Sequence, residues 1–491
     1  MECGLQWKDI TCWDDVPRLT LTHEETLETV IADYCPDVGR IVETAGTLCL
    51  REIAARNGSL ELRGEVRVAV LYTSEESVGL RSLTQSVPFV CGAENRPLAA
   101  CQVLWAAGRL LLCEAQALTP RRLRLRLMPE WTVSGYRCTT VRLCVGAGED
   151  PSLRLRRQER QLCLTAAMAV RECAVTGEVT VPAGQPTPED LLLCRLYPRV
   201  DSCQVVGTKL LVKGELLLCA LYRCQQQRLH TYTGHIPLSQ IVDSPVEGEE
   251  LTVSALPQLL CGEARLLRGE ETAGFTVTAE LRLLLRATRQ ETVSCVTDLY
   301  STRCTAQPEM TEVTLPLAPE AAERQEVTQH LDFGRQRPFV FVTDEGCAGA
   351  AAEDGTPCAQ VQLRLLYLDE EEAPAVTERT AQLPLPEGRV CACLGAPEVT
   401  FTGGGCDLRQ TVSLSPSAAP RETLRAVSAV QLLPEEDSGR RPSLVLRRMT
   451  PEETLWDVAK QYRTDEALIR AANQLEEGAV PDRMLLIPRI R

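Results

Sequence analysis

Asn57-Gly58-Ser59-Leu60-Glu61-Leu62-Arg63-Gly64-Glu65-Val66-Arg67-Val68-Ala69-Val70-Leu71-Tyr72 decides the fold class of this 491-residue chain. Leu60, Leu62, Val66, Val68, Val70 and Tyr72 fall on one face of an extended segment, and Glu61, Arg63, Glu65 and Arg67 fall on the other. A period of two marks a strand with one face in a core and the other in water. Asn57-Gly58 is a favoured two-residue hairpin turn because both residues tolerate positive φ, so Thr47-Leu48-Cys49-Leu50-Arg51-Glu52-Ile53 is expected to be the partner strand. Gly64 sits mid-strand on the apolar side, where glycine marks a bulge or the close approach of another backbone.

The segment repeats. Gly64-Glu65 and Leu71-Tyr72 return as Gly214-Glu215 and Leu221-Tyr222, both offset by 150 positions, and Leu366-Tyr367 closes a fainter third copy beginning at Ala359. Each copy then reaches an apolar-Pro-apolar triplet: Val87-Pro88-Phe89, Ile236-Pro237-Leu238 and Leu383-Pro384-Leu385. Further strand-like stretches, such as Leu123–Met128 and Phe275–Leu283, lie between the hairpins. The expected architecture is mostly β: three tandem antiparallel modules, sandwich or open barrel, over residues 1–148, 149–306 and 307–432. A linker over residues 433–442 leads to a small βααβ unit over residues 443–491.

Composition limits function. A hydrophobic fraction of 44% with 24% charged residues is ordinary for folded protein, and a net charge of −15 opposes nucleic acid and anionic membrane. The alternation Arg122-Leu123-Arg124 is the wet face of a strand rather than a phosphate strip. The start, Met1 to Asp9, carries no basic run or apolar h-region, so no signal peptide is expected. The longest largely apolar run, Val103 to Cys113, is far short of the ~20 residues of a membrane span. The 23 cysteines are expected to be small buried hydrophobes in a cytoplasmic, reducing setting, with no metal and no cofactor. The closest pair, Cys391-Ala392-Cys393, is expected to part its thiols to opposite strand faces, which weakens a chelate. Four scattered histidines offer no ligand pattern, and Walker A, G-x-S-x-G, H-E-x-x-H and G-x-G-x-x-G are all missing, so no enzyme is expected.

The C-terminal unit opens with Leu444-Val445-Leu446 as a strand. Thr450 or Thr454 can cap a first helix whose Leu455, Val458, Ala459 and Tyr462 share a face. Thr464, Asp465 and Glu466 begin a second helix, with Leu468, Ala471, Ala472 and Leu475 expected as its packed face. Met484–Pro488 closes as a strand. The stretch Thr454–Tyr462 with Ile469-Arg470-Ala471-Ala472-Asn473 and Leu485-Leu486-Ile487-Pro488 resembles a LysM domain. That resemblance implies binding through Glu452, Glu453, Thr454 and Leu455 before the first helix, and through Gly478, Val480, Pro481 and Asp482 after the second. Glu452 stands where such domains commonly carry glycine. Trp456 and Asn473, with Leu455, form the expected docking face.

The Gly-Glu…Leu-Tyr units and Val296-Thr297-Asp298-Leu299-Tyr300-Ser301 resemble SPOCS domains. Three such units and a terminal LysM resemble the SipL-like family of spore-coat morphogenesis proteins. The resemblance implies a mother-cell adaptor at the forespore surface that binds the coat's morphogenetic ATPase and other coat proteins. The competing expectation is a peptidoglycan-binding LysM protein, whose ligand is an N-acetylglucosamine polymer.

Overall fold

A computed structural model describes residues 4–488 apart from 76–78, 149, 247–250, 270–272, 333–338, 353–354, 434–442, 451 and 477–483. The first unit comprises β1 (Leu5–Thr22), β2 (Glu25–Val30), β3 (Arg40–Arg56), β4 (Ser59–Thr73), β5 (Arg81–Glu94), a one-turn helix α1 (Arg96–Ala99), β6 (Val103–Thr119) and β7 (Arg122–Ala147). β3-β4-β5 form an antiparallel meander, while β7 pairs with β1, β2 and β6 in a second sheet. The apolar face of β4 packs against Leu123, Leu125, Leu127, Trp131 and Val133 of β7, so the two sheets close on one core. Arg122 and Arg124 pair with Glu28, and Arg126 with Glu24, which occupies the wet face of β7 with ion pairs.

The second unit repeats the plan with β8 (Leu153–Thr180), β9 (Pro188–Val206), β10 (Lys209–Cys224), β11 (Leu229–Asp243), β12 (Thr252–Arg268) and β13 (Ala273–Ser301). β9-β10-β11 are the meander, and β13 lies between β8 and β12. The third comprises β14 (Thr305–Pro316), β15 (Glu323–Asp332), β16 (Val340–Ala351), β17 (Pro357–Leu368), β18 (Pro374–Pro384), β19 (Arg389–Cys393), β20 (Glu398–Phe401), β21 (Gly405–Pro416) and β22 (Arg421–Leu433). β16-β17-β18 form its meander; β14 pairs with β22, and β15, β19 and β20 pair with β21. β14 begins at Thr305, before residue 307. The molecule is mostly β, and among the described residues no helix is long and apolar enough to cross a membrane.

Sequence landmarks acquire physical reasons here. A Cβ on Gly64 would lie 2.2 Å from the Cys49 carbonyl oxygen, and one on Gly214 would lie 1.9 Å from that of Arg199. Both glycines sit beside register shifts, so each admits a bulge in the neighbouring strand. Pro88 opposes Glu65 and Pro237 opposes Glu215, each proline on an edge strand that needs no donor there. In the third unit the register slips: Pro384 opposes Cys358, not Gln360. The tyrosines of the first two Leu-Tyr pairs are buried and donate to matched carbonyls, Tyr72 to Pro36 at 3.1 Å and Tyr222 to Pro186 at 2.9 Å.

Leu71, Leu221 and Leu366, the leucines of the three Leu-Tyr pairs, meet in one buried cluster with Ala45, Leu193 and Phe341. A second shared cluster joins Ile10 and Leu143, Leu164 and Val293, and Leu315 and Leu424, again one set per unit. The three units therefore surround a common axis and close apolar surface on one another. Beside that axis Glu43 is buried, accepting from Arg364 Nε, Thr343 Oγ1 and the Thr44 N–H; burial nonetheless holds its carboxyl above the ordinary range.

Burial of the cysteines is partial: of the 22 described, nine are buried, twelve are half-buried and Cys138 is exposed. One expectation is corrected. Cys391 and Cys393 do not part; both turn toward Cys347 in one apolar cluster, because residues two apart on a strand share a face.

Candidate interaction site at the C-terminal unit

β23 (Leu444–Arg448) and β24 (Met484–Pro488) form a two-stranded antiparallel sheet against which α2 (Leu455–Tyr462) and α3 (Glu466–Asn473) pack. Thr454 caps α2: its Oγ1 accepts from the Asp457 N–H, and Asp457 accepts from the Thr454 N–H at 2.9 Å and hydroxyl at 2.6 Å. Those bonds hold the Asp457 carboxyl below its ordinary range. The helix ends at Arg463 in the left-handed conformation, and Asp465 caps α3. Here the packed face differs from the one expected. α3 buries Ile469, while Leu468, Ala471 and Ala472 are exposed and Leu475 is only half-buried. Asn473 sets that rotation: its Nδ2 donates to the carbonyls of Ile469 and Leu486, and its Oδ1 accepts from the Leu486 N–H, clipping α3 to β24.

Trp456 occupies the seam between α2 and the end of β13. Its Nε1 donates to Asp298 Oδ2 at 2.8 Å, and its ring meets Tyr300 edge-on with centroids 4.8 Å apart. Lys460, one turn later on the same face, reaches Asp298 Oδ1 at 2.6 Å. Tyr300 is buried within the core of the C-terminal unit and donates to the Thr464 carbonyl at 2.8 Å. Burial and then the neighbouring Asp465 carboxylate push its phenol up. Arg154 of β8 pairs with Asp465 at 2.7 Å, and Arg463 donates to Thr305. The Val296–Ser301 stretch thus supplies the socket into which the C-terminal unit fits.

The other expected binding residues divide. Leu455 is buried, Glu452 and Thr454 are exposed, and Glu453 accepts from Arg447 at 2.5 Å and from the Thr450 N–H. Gly478, Val480, Pro481 and Asp482 lie outside the described residues. The outer face of the small sheet carries exposed Leu444, Leu446 and Met484. A separate cleft of about 730 Å³ opens where β8, β14, β22 and α2 converge, lined by Arg156, Arg157, Arg425 and Lys460. Sequence reasoning had no route to it, since its residues are scattered over the chain.

Two other constellations hold potentially reactive groups. A cavity of about 570 Å³ beside the common axis is lined by Arg195, Tyr197, Asp344 and Glu345. Arg195 bonds Asp344 at 2.9 Å and Glu345 at 3.0 Å, and Tyr197 donates to Glu345 at 2.9 Å. Cys113 on its wall is pushed up to about 12 by burial, which keeps the thiol protonated and a poor nucleophile. Cys49, Glu65 and Cys261 bring possible metal-ligating atoms within 4.8 Å of one another. Glu65 there already accepts from Arg51, Arg67 and Ser86, and burial pushes the Cys49 thiol up to about 12. In the cavity the Glu345 carboxylate is thus held by Arg195 and Tyr197, and in the cluster the Glu65 carboxylate is held by two arginines and a serine.

No curated protein and no solved structure matches the chain. Residues 188–255, which run from the start of β9 into β12, match the family model described as SipL, SPOCS domain, and this relates the chain to sporulation coat proteins.

Proposed function

We propose that the chain is a non-enzymatic adaptor in endospore coat assembly. In this reading the SPOCS-like units form the scaffold and bind other coat proteins. The C-terminal βααβ unit is a LysM-type module that engages the coat's morphogenetic ATPase. The protein works from the mother-cell cytoplasm at the forespore surface. The match of the β9–β11 meander to a SPOCS model carries the reading. The pairing of potentially reactive groups beside the axis supports a scaffold over a catalyst. So does the seam, which holds the C-terminal unit against β13 and spends Trp456 and Asn473 on internal bonds. Under this reading the partner meets faces other than the buried side of Trp456.

Co-purification from sporulating cells tests it, comparing the full chain with one ending at Leu433. The adaptor reading expects the ATPase with the full chain and not with the shortened one; equal recovery from both refutes the docking role. Sedimentation with purified cell wall addresses the glycan alternative. The adaptor stays in the supernatant, whereas co-sedimentation lost on truncation establishes a peptidoglycan ligand instead.

A further inference from the structure

We infer that the cleft between the second, third and C-terminal units is a binding site for an acidic peptide segment of a protein partner. Its wall gathers Arg156 and Arg157 from β8, Arg425 from β22 and Lys460 from α2, with Asp298 the only carboxylate among its lining residues. That concentration of cations stands in a chain whose net charge is −15, so it is a local reversal of the molecule's field. Bringing like charges together costs free energy, and a sequence tends to keep such a cluster where an anion offsets it.

The hydrogen bonding shows how much of this charge is available. Asp298 is committed to Trp456 and Lys460. Asp457, which attracts Arg156 from a distance, is committed to the Thr454 cap. Arg157 spends its Nε on the Val145 carbonyl, leaving its terminal nitrogens unspent. Arg156 and Arg425 make no side-chain hydrogen bond or ion pair among the described residues, although Glu312 stands opposite Arg425 across the β14–β22 ladder. Three arginines therefore line the cleft with guanidinium donors left over, in the planar geometry that suits carboxylates.

Shape and floor favour a peptide. The cleft is open and holds about 730 Å³, and its floor includes Pro308 and Met310, which offer apolar contact beside the charges. An adaptable methionine surface with surrounding arginines suits a strand or loop that alternates acidic and apolar residues. Long polyanions are disfavoured because they must also meet the remaining acidic surface. The inference rests on the adaptor reading only in taking the ligand to be protein. The test below uses purified components, so its failure is distinct from failure of the co-purification.

Fluorescence anisotropy of the full chain with a labelled peptide of alternating glutamate and leucine provides the test. The expected result is saturable binding that weakens as salt rises from ~0.05 to ~0.5 M. The pair R156E with R425E is expected to lose about tenfold or more in affinity, equivalent to ~1.4 kcal/mol. R156Q with R425Q, which adds no repulsion to disturb folding, should lose less, and R156K with R425K should retain most of the binding. R265E, on β12 outside the cleft, should match the parent. Equal binding by the parent and the Gln pair overturns the proposal, as does the absence of binding by the parent. Displacement of the peptide by equimolar inorganic phosphate, or capture on phosphatidylglycerol vesicles in place of peptide binding, also overturns it by identifying a different ligand.

Discussion

Trp456→Phe isolates one interaction at the seam, since it keeps a ring beside Tyr300 and removes the N–H donated to Asp298. A hydrogen bond to a charged group contributes about 1.5–3 kcal/mol. The Asp298 side chain retains Lys460 and is 23% exposed, so water repairs part of the loss. The lower part of the range therefore applies, about 1.5–2 kcal/mol. Trp456→Ala also loses the edge-to-face pair, a further ~0.5–1.5 kcal/mol, for roughly 2–3.5 kcal/mol before the lost burial of the indole is added. Amide exchange in α2, α3 and the Val296–Ser301 stretch reads undocking directly, at about tenfold acceleration per 1.4 kcal/mol. Phe at this position should accelerate exchange roughly 10- to 30-fold and Ala by more than ~30-fold. Asp298→Ala in combination with Trp456→Phe should be clearly less than additive, because each alone removes the indole hydrogen bond. Exchange within about twofold of the parent in both Trp456 variants would refute a seam held by this residue.

Other perturbations probe the scaffold. Gly214→Ala drives a Cβ to 1.9 Å from the Arg199 carbonyl oxygen and should destabilise by ~1–3 kcal/mol in thermal unfolding, whereas Gly346→Ala meets open space and should be near neutral. Leu221→Ala leaves a cavity in the cluster shared by all three units and should cost ~2–5 kcal/mol. Calorimetry should show the three units destabilised together; a shift confined to one transition would contradict a shared core. Asp457 has a depressed folded value, so its stabilisation of α2 is present above the unfolded value of 3.8 and is lost as pH falls through the folded value. Asp457→Asn should remove that acid-dependent loss, measured as helix unfolding between neutral pH and pH ~2.

Much of the fold was legible because strand chemistry is local. The alternation from Leu60 to Tyr72 announces its own face, and Asn57 and Gly58 adopt φ of 52° and 84° at the hairpin tip as their residue types predict. Rotation of α3 was not legible, since Ile469 and Leu468 head two overlapping apolar stripes. The choice between them is made by the Asn473 bonds to β24, which lie 13 residues away. The seam was hidden for the same reason. Asp298 and Trp456 stand 158 positions apart, and no pattern within either segment records that one answers the other. The expectation for Cys391 and Cys393 failed on the period of a strand rather than on missing information.

Closing three related units around one axis within a single polypeptide has an evolutionary and a thermodynamic corollary. Separate subunits would assemble only above some threshold of abundance, whereas tethered ones see a fixed effective concentration and assemble at any expression level. Covalent linkage also frees the copies from identity. A mutation in a homotrimer alters three surfaces at once, but here each unit can drift alone provided Leu71, Leu221 and Leu366 still meet. The slipped register of β18 and the divided outer sheet of the third unit are the mark of that freedom, and they give one particle three dissimilar sides.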